Sequence, residues 1–114
     1  MTRVLVTGVF DILHPGHIFL IHEAAKLGEV YVIVARDATV AKYKHHPPIV
    51  PEDQRLEVVQ ALRDVEYATL GYADKYFMEK ALELKPDIIF LGPNQQISTE
   101  SLQADQVPHP KRHQ

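Results

Sequence analysis

The sequence predicts an α/β domain built on a parallel sheet with helices on both faces. Three observations carry this. Short aliphatic runs alternate with amphipathic segments along most of the 114 residues, the order of a chain that returns strand by strand through crossover helices. One run, Val30–Ala35, is apolar almost without interruption, as in a strand covered on both sides. The composition is 46% apolar and 24% charged, enough for one core in a chain of this length and for a single domain over residues 1–114.

The elements follow in order. Arg3–Thr7 is a short β-branched run ended by Gly8. A helix is expected from Pro15 to Leu27, because proline suits a first helical turn, where its missing N–H has no intrahelical partner. Ile18, Ile21 and Ala25 form its apolar stripe, with Leu20, Ala24 and Leu27 beside it. Gly28 is a C-terminal stop. After the strand at Val30–Ala35, Asp37 is placed to cap a short helical turn reaching Lys42. Lys42-Tyr43-Lys44-His45-His46-Pro47-Pro48 then reads as a basic loop. Pro51-Glu52-Asp53 opens the next helix, with acids near its positive end and Leu56, Val59 and Leu62 as its buried stripe.

Val65–Leu70 is the third strand. Ala73–Leu84 is a helix with Phe77, Ala81 and Leu84 on one face, and Lys85-Pro86 ends it. Asp87–Leu91 is the fourth strand, followed by a turn at Gly92-Pro93-Asn94. Ile97–Ala104 is expected as a short helix capped by Ser98 or Thr99. Residues 105–114 hold two prolines and no periodicity, and are expected to be an irregular, shortened end. The sheet is thus expected to have four to five strands.

Charge and cysteine content narrow the chemistry. The formal charge of −3 speaks against a broad nucleic-acid footprint, which needs a basic face. With no cysteine, disulfides, thiolate catalysis and cysteine-ligated zinc are excluded. No apolar run reaches 18 residues and no leader pattern opens the chain, so a cytoplasmic protein without a membrane span is expected. Seven histidines are present, but their spacing gives no fixed metal-ligand set.

The stretch Gly8-Val9-Phe10-Asp11-Ile12-Leu13-His14-Pro15-Gly16-His17 is the most specific signal. It lies where the first strand gives way to a helix, and ligands of open parallel sheets bind outside the C-terminal strand ends. Gly8 lets the backbone turn and approach a ligand. His14 and His17 stand at the helix start, beside free N–H groups and the positive end of the dipole, which suits phosphate. Phosphoryl or nucleotidyl transfer needs positioning and charge stabilisation more than covalent help. No nucleophile with an adjacent base stands near the loop, so direct in-line attack by the substrate is the natural mechanism. Neither a P-loop nor the dinucleotide glycine fingerprint is present.

Gly8-Val9-Phe10-Asp11 followed by His14-Pro15-Gly16-His17 resembles the HxGH signature of the cytidylyltransferase-like nucleotidyltransferases, small Rossmann-like α/β enzymes with a doubly wound parallel sheet. Val34-Ala35-Arg36-Asp37, the stretch from Pro47 to Arg55 and the stretch from Lys85 to Gln95 are similar to the archaeal FAD synthase group, which transfers AMP from ATP to FMN. The resemblance covers about residues 1–104.

It implies ATP and FMN as partners, a divalent ion such as Mg²⁺ bound with the nucleotide, and no nucleic acid or membrane. By position, the loop backbone at Val9 and Phe10 would contact ATP. His14 and His17 would hold the triphosphate and stabilise the transition state. Asp11 would fix the loop or approach magnesium, or serve only as a turn residue. Lys44 would neutralise phosphate, Arg55 would face the phosphates or be an exposed helix charge paired with Glu52 or Glu57, and Asn94 would lie near the nucleotide. Gly8, Pro15 and Gly16 complete the nucleotide-binding loop. Dimers are common in the group, so a homodimer is a further implication.

Two alternatives stay open. The first is CTP with glycerol 3-phosphate, because the motif does not name the base or the acceptor. The second is a nucleotide-binding module without catalysis. It arises because a later Ser/Thr-rich signature of the family, of the Arg-Thr-x-Gly-Ile-Ser-Thr-Thr kind, is not evident before Gln114.

Overall fold

The computed structural model describes residues 2–71, 77–92 and 95–98. Strand β1 (Arg3–Gly8) leads to helix α1 (Pro15–Ala25), β2 (Glu29–Val34), α2 (Asp37–Lys44), α3 (Glu52–Gln60), β3 (Val65–Leu70), α4 (Phe77–Glu83), β4 (Ile88–Gly92) and β5 (Gln95–Ser98). The strands form one sheet in the order β3-β2-β1-β4-β5. β1 pairs in parallel with both β2 and β4, and β2 with β3. After β1 the chain adds strands on one side, then crosses to place β4 on the other. The C-terminal end of β1 is therefore the topological switch point, where the crevice of such a sheet opens.

Alternation along the strands builds two cores. Val4 and Val6 of β1 face one side, where Val30, Val32 and Val34 of β2 meet Ile21 and Ala24 of α1 and Val59 of α3. Leu5 points the other way, joining Ile33, Ile89 and Ala81 of α4. The expected parallel α/β sheet with helices on both faces is borne out.

Three local expectations change. The stripe of α1 is narrower than its sequence suggests: Ile21 and Ala24 are buried, whereas Ile18 and Leu27 are largely exposed. The basic stretch is not all loop, since α2 continues through Lys44 and ends at His45 in the left-handed conformation, φ 64°. Asp37 is its first residue rather than its cap, and Arg36 holds the cap position without a side-chain capping bond.

The segment after β4 begins as a strand rather than a helix. Gln95–Ser98 pairs antiparallel with β4, with Ile97 opposite Ile89 and Ser98 opposite Ile88. Pairing with β4 satisfies backbone groups along that side of the sheet, which does not require apolar residues on the edge strand. The elements expected over residues 73–76, at Asn94 and over 99–114 lie outside the described residues.

Candidate active site

The loop between β1 and α1 is shaped by close contacts of its own side chains. Phe10 has φ 55°, a left-handed turn that folds its ring back into the core, where it is 4% exposed. A Cβ on Gly8 would lie 2.9 Å from that ring, so the position admits little beyond glycine. His14 is extended, φ −147°, and caps α1. Its imidazole passes over Gly16, where a Cβ would come within 2.5 Å of Cε1. Pro15 occupies the first turn.

The two histidines form a reciprocal cap. His14 Nδ1 accepts the backbone N–H of Gly16 at 2.8 Å, and His17 Nδ1 accepts the backbone N–H of His14 at 3.2 Å. A ring nitrogen that accepts from an amide carries no proton, so the proton of each neutral imidazole sits on Nε2. The rings lie 4.8 Å apart, and Phe10 packs 5.4 Å from His17. Burial, then the neighbouring His14, hold the His17 pKa below its ordinary value of 6.5. With Nδ1 of each ring accepting an amide, Nε2 is the nitrogen left to donate, the arrangement that suits phosphate oxygens.

A cleft of about 440 Å³ opens beside them. It is lined by Val9, Phe10, Asp11 and Ile12 of the loop, by His17, by Val40 and Lys44 of α2, and by His46. The structure thus gathers Val9, Phe10, Asp11, His17 and Lys44 in one place, with His14 beside His17. Gly8, Pro15 and Gly16 act through the backbone. His46, Val40 and Ile12 join the cleft without having stood out in the sequence. His46 had only its basic neighbours as a signal, and its Nδ1 lies 3.0 Å from the Pro47 carbonyl.

Asp11 and Arg55 sit differently from the simplest readings. The Asp11 carboxylate accepts the backbone N–H of Ile49 at 2.9 Å and of Val50 at 2.8 Å. These two bonds are the leading cause of a pKa held below 3.8, which the Arg55 and His46 charges lower further. Arg55 is not an exposed helix charge: it is 1% exposed and pairs with Asp37 at 2.6 Å, not with Glu52 or Glu57. Glu52 instead accepts the backbone N–H of Asp37 at 2.7 Å and bonds Arg36 at 3.3 Å.

The implied divalent ion can be set against these donors. Among the described residues no group of three or more histidines and carboxylates could hold a metal. Asp11, the acidic residue lining the cleft, turns both oxygens to backbone amides. These residues form no cage of their own, and a divalent ion here would be held chiefly through nucleotide phosphates and water.

A parallel sheet with a histidine loop at its switch point is the architecture of the cytidylyltransferase-like nucleotidyltransferases. The sequence profile of the cytidylyltransferase-like family matches residues 5–108, and the chain belongs to that family. Among curated proteins, it is 53% identical over 105 residues to the FAD synthase of Methanospirillum hungatei, covering 90% of this chain and 65% of that protein. It is 55% identical over 104 residues to the FAD synthase of Methanocella paludicola, covering 90% and 73%. The chain therefore spans about two thirds of the length of these relatives. It also resembles the crystal structure of a lipopolysaccharide core biosynthesis protein from Thermoplasma volcanium, with TM-score 0.77 and 45% identity over 92% of this chain and 85% of that one. The family expected from the histidine motif is borne out. Among the described residues, no helix is long and apolar enough to cross a membrane.

Proposed function

We propose that the cleft transfers AMP from ATP to FMN, giving FAD and pyrophosphate. The paired Nε2–H groups of His14 and His17, fixed by the reciprocal cap, carry this reading, together with relatives named FAD synthase at about half identity. A phosphate oxygen of FMN attacks the α-phosphorus of ATP in line. The bond to the bridging oxygen breaks, and pyrophosphate leaves with the electron pair. The attacking phosphate is already anionic, so no general base is required.

The chain's own groups hold charge in place. His14 and His17 donate to non-bridging and leaving oxygens, where negative charge grows, and a preorganised donor there lowers the barrier. Lys44 adds a cation from α2. The N-terminus of α1 adds its partial positive charge. A divalent ion bound with the nucleotide would supply further positive charge for the phosphates, with Asp11 the acidic side chain that lines the cleft. A homodimer in the cytoplasm belongs to the same reading.

A substrate matrix tests it. Pyrophosphate release is measured with ATP or CTP, each with FMN or glycerol 3-phosphate. Release only with ATP plus FMN is expected. Release with CTP and glycerol 3-phosphate moves the assignment to that pair, and nucleotide binding without release in any arm reduces the protein to a binding module.

A further inference from the structure

Arg55 is the single charged residue among the buried side chains of the described residues. Its guanidinium reaches three separate pieces of backbone. Nε donates to the Val50 carbonyl at 2.8 Å. Nη1 donates to the Val9 carbonyl at 2.7 Å and the Ala35 carbonyl at 2.8 Å, while Nη2 donates to Asp37 Oδ1 at 2.6 Å. These partners are the loop after β1, the end of β2 and the residue before Pro51 and α3.

The bonds close a ring that ties Val9 and Asp11, which line the cleft, to the neighbouring Ile49-Val50 segment. Val9 is held by Arg55. Two residues on, Asp11 accepts the N–H groups of Ile49 and Val50. Val50 returns its carbonyl to Arg55. The Ile49-Val50 segment is thus gripped from both sides, by its amides and by its carbonyl, although the Ile49 side chain is 76% exposed.

We propose that Arg55 is a positioning residue for the transfer: it fixes the Val9–Asp11 part of the histidine loop against the Ile49-Val50 segment without touching nucleotide. The proposal rests on the reading of the cleft as a nucleotide site. A buried cation is costly unless fully paired, and an apolar residue of similar size often serves stability as well. What only the planar fork supplies is simultaneous registry of three carbonyls and a carboxylate, which the single ammonium of lysine does not reproduce. When catalysis is mostly placement, a shift of about 1 Å at a distance from the chemistry costs about a hundredfold in rate.

The test is Arg55→Lys, read by amide hydrogen exchange and by steady-state kinetics with ATP and FMN. The variant is expected to keep slow exchange at Leu5 and Val32 in the core. Exchange at Ile49 and Val50 should quicken at least tenfold, and kcat should fall about tenfold to a hundredfold, with the KM for ATP changed less than threefold. A folded variant with unchanged exchange at Ile49 and Val50 overturns the proposal. So does a rise in the ATP KM with kcat intact, which makes Arg55 a direct nucleotide ligand. If Arg55→Lys does not fold, Asp11→Asn opens the same ring from its exposed side and is expected to release the same two amides and lower kcat. Wild-type Ile49 and Val50 amides exchanging as in unstructured chain overturn the proposal without any variant. Absence of FAD formation by the wild type overturns the functional reading instead, and the exchange data then stand on their own.

Discussion

His17 Nδ1 accepts the backbone N–H of His14 at 3.2 Å, so the second imidazole of the motif holds the backbone that carries the first. His14 returns the support by accepting the Gly16 amide. The residues proposed to meet phosphate are also the residues that start helix α1. Their chemistry and their local fold are inseparable, and this governs how substitutions there are read.

Replacing either histidine with alanine removes one Nε2–H donor and one half of the cap. Each change is expected to lower turnover by about 10²–10³. Loss of a cap costs only about 1 kcal/mol, so both variants should stay folded at 25 °C. Steady-state kinetics beside thermal unfolding separates the two effects. Wild-type turnover in both variants removes the histidines from the mechanism.

Lys44 lies on the last turn of α2 and lines the cleft. Lys44→Met keeps most of the aliphatic stem and deletes the cation. Charge-assisted hydrogen bonds contribute about 1.5–3 kcal/mol, so the KM for ATP is expected to rise about tenfold to a hundredfold with the fold unaltered. Isothermal titration with a non-hydrolysable ATP analogue provides the same comparison without turnover.

The pH dependence has a defined sign. The folded-state pKa of His17 lies below 6.5 through burial and the adjacent His14. The unfolded chain therefore binds more protons between the two values, and stability from the neutral ring is complete above 6.5 and lost as pH falls through the folded value. Asp11 also has a lowered pKa, but its window lies below 3.8, so its grip on Ile49 and Val50 is constant from pH 5 to 8. A proton NMR titration of the His17 Cε1–H should give a midpoint below 6.5. A midpoint above it contradicts the acceptor role of Nδ1.

Much of this was legible in the sequence, for physical reasons that can be named. β3 has its expected bounds, because Val65–Leu70 stands between turn residues and a glycine. The histidine loop was legible because Gly8, Pro15 and Gly16 each answer a local steric demand that neighbours in sequence create. Arg55 was not legible as a buried group. Three of its partners are backbone carbonyls, which carry no residue-type signal, although its spacing of four from Val59 puts it on the buried face of α3. β5 was hidden in the same way: Gln95 and Gln96 lack apolar alternation, and their strand exists through pairing with β4.

The core gives a prediction independent of function. Ile21 of α1 is 2% exposed and packs among valines of β1 and β2. Ile21→Ala is expected to cost about 2–5 kcal/mol through lost burial and a cavity, measured by urea unfolding. Ile18→Ala, at a position 43% exposed, should cost about 1 kcal/mol or less. Equal losses at both positions contradict the placement of α1 on the sheet.

The proposed site depends on two imidazoles that anchor the cap through Nδ1 and offer Nε2–H to nucleotide phosphate. Long-range ¹H–¹⁵N correlation spectra of the histidine rings at pH 7, with and without magnesium and ATP, measure this directly. The account predicts the Nε2–H tautomer for His14 and His17 in the free protein, with both Nε2 resonances shifting on addition of nucleotide. An Nδ1–H tautomer at either ring, or no shift at saturating ATP, contradicts it.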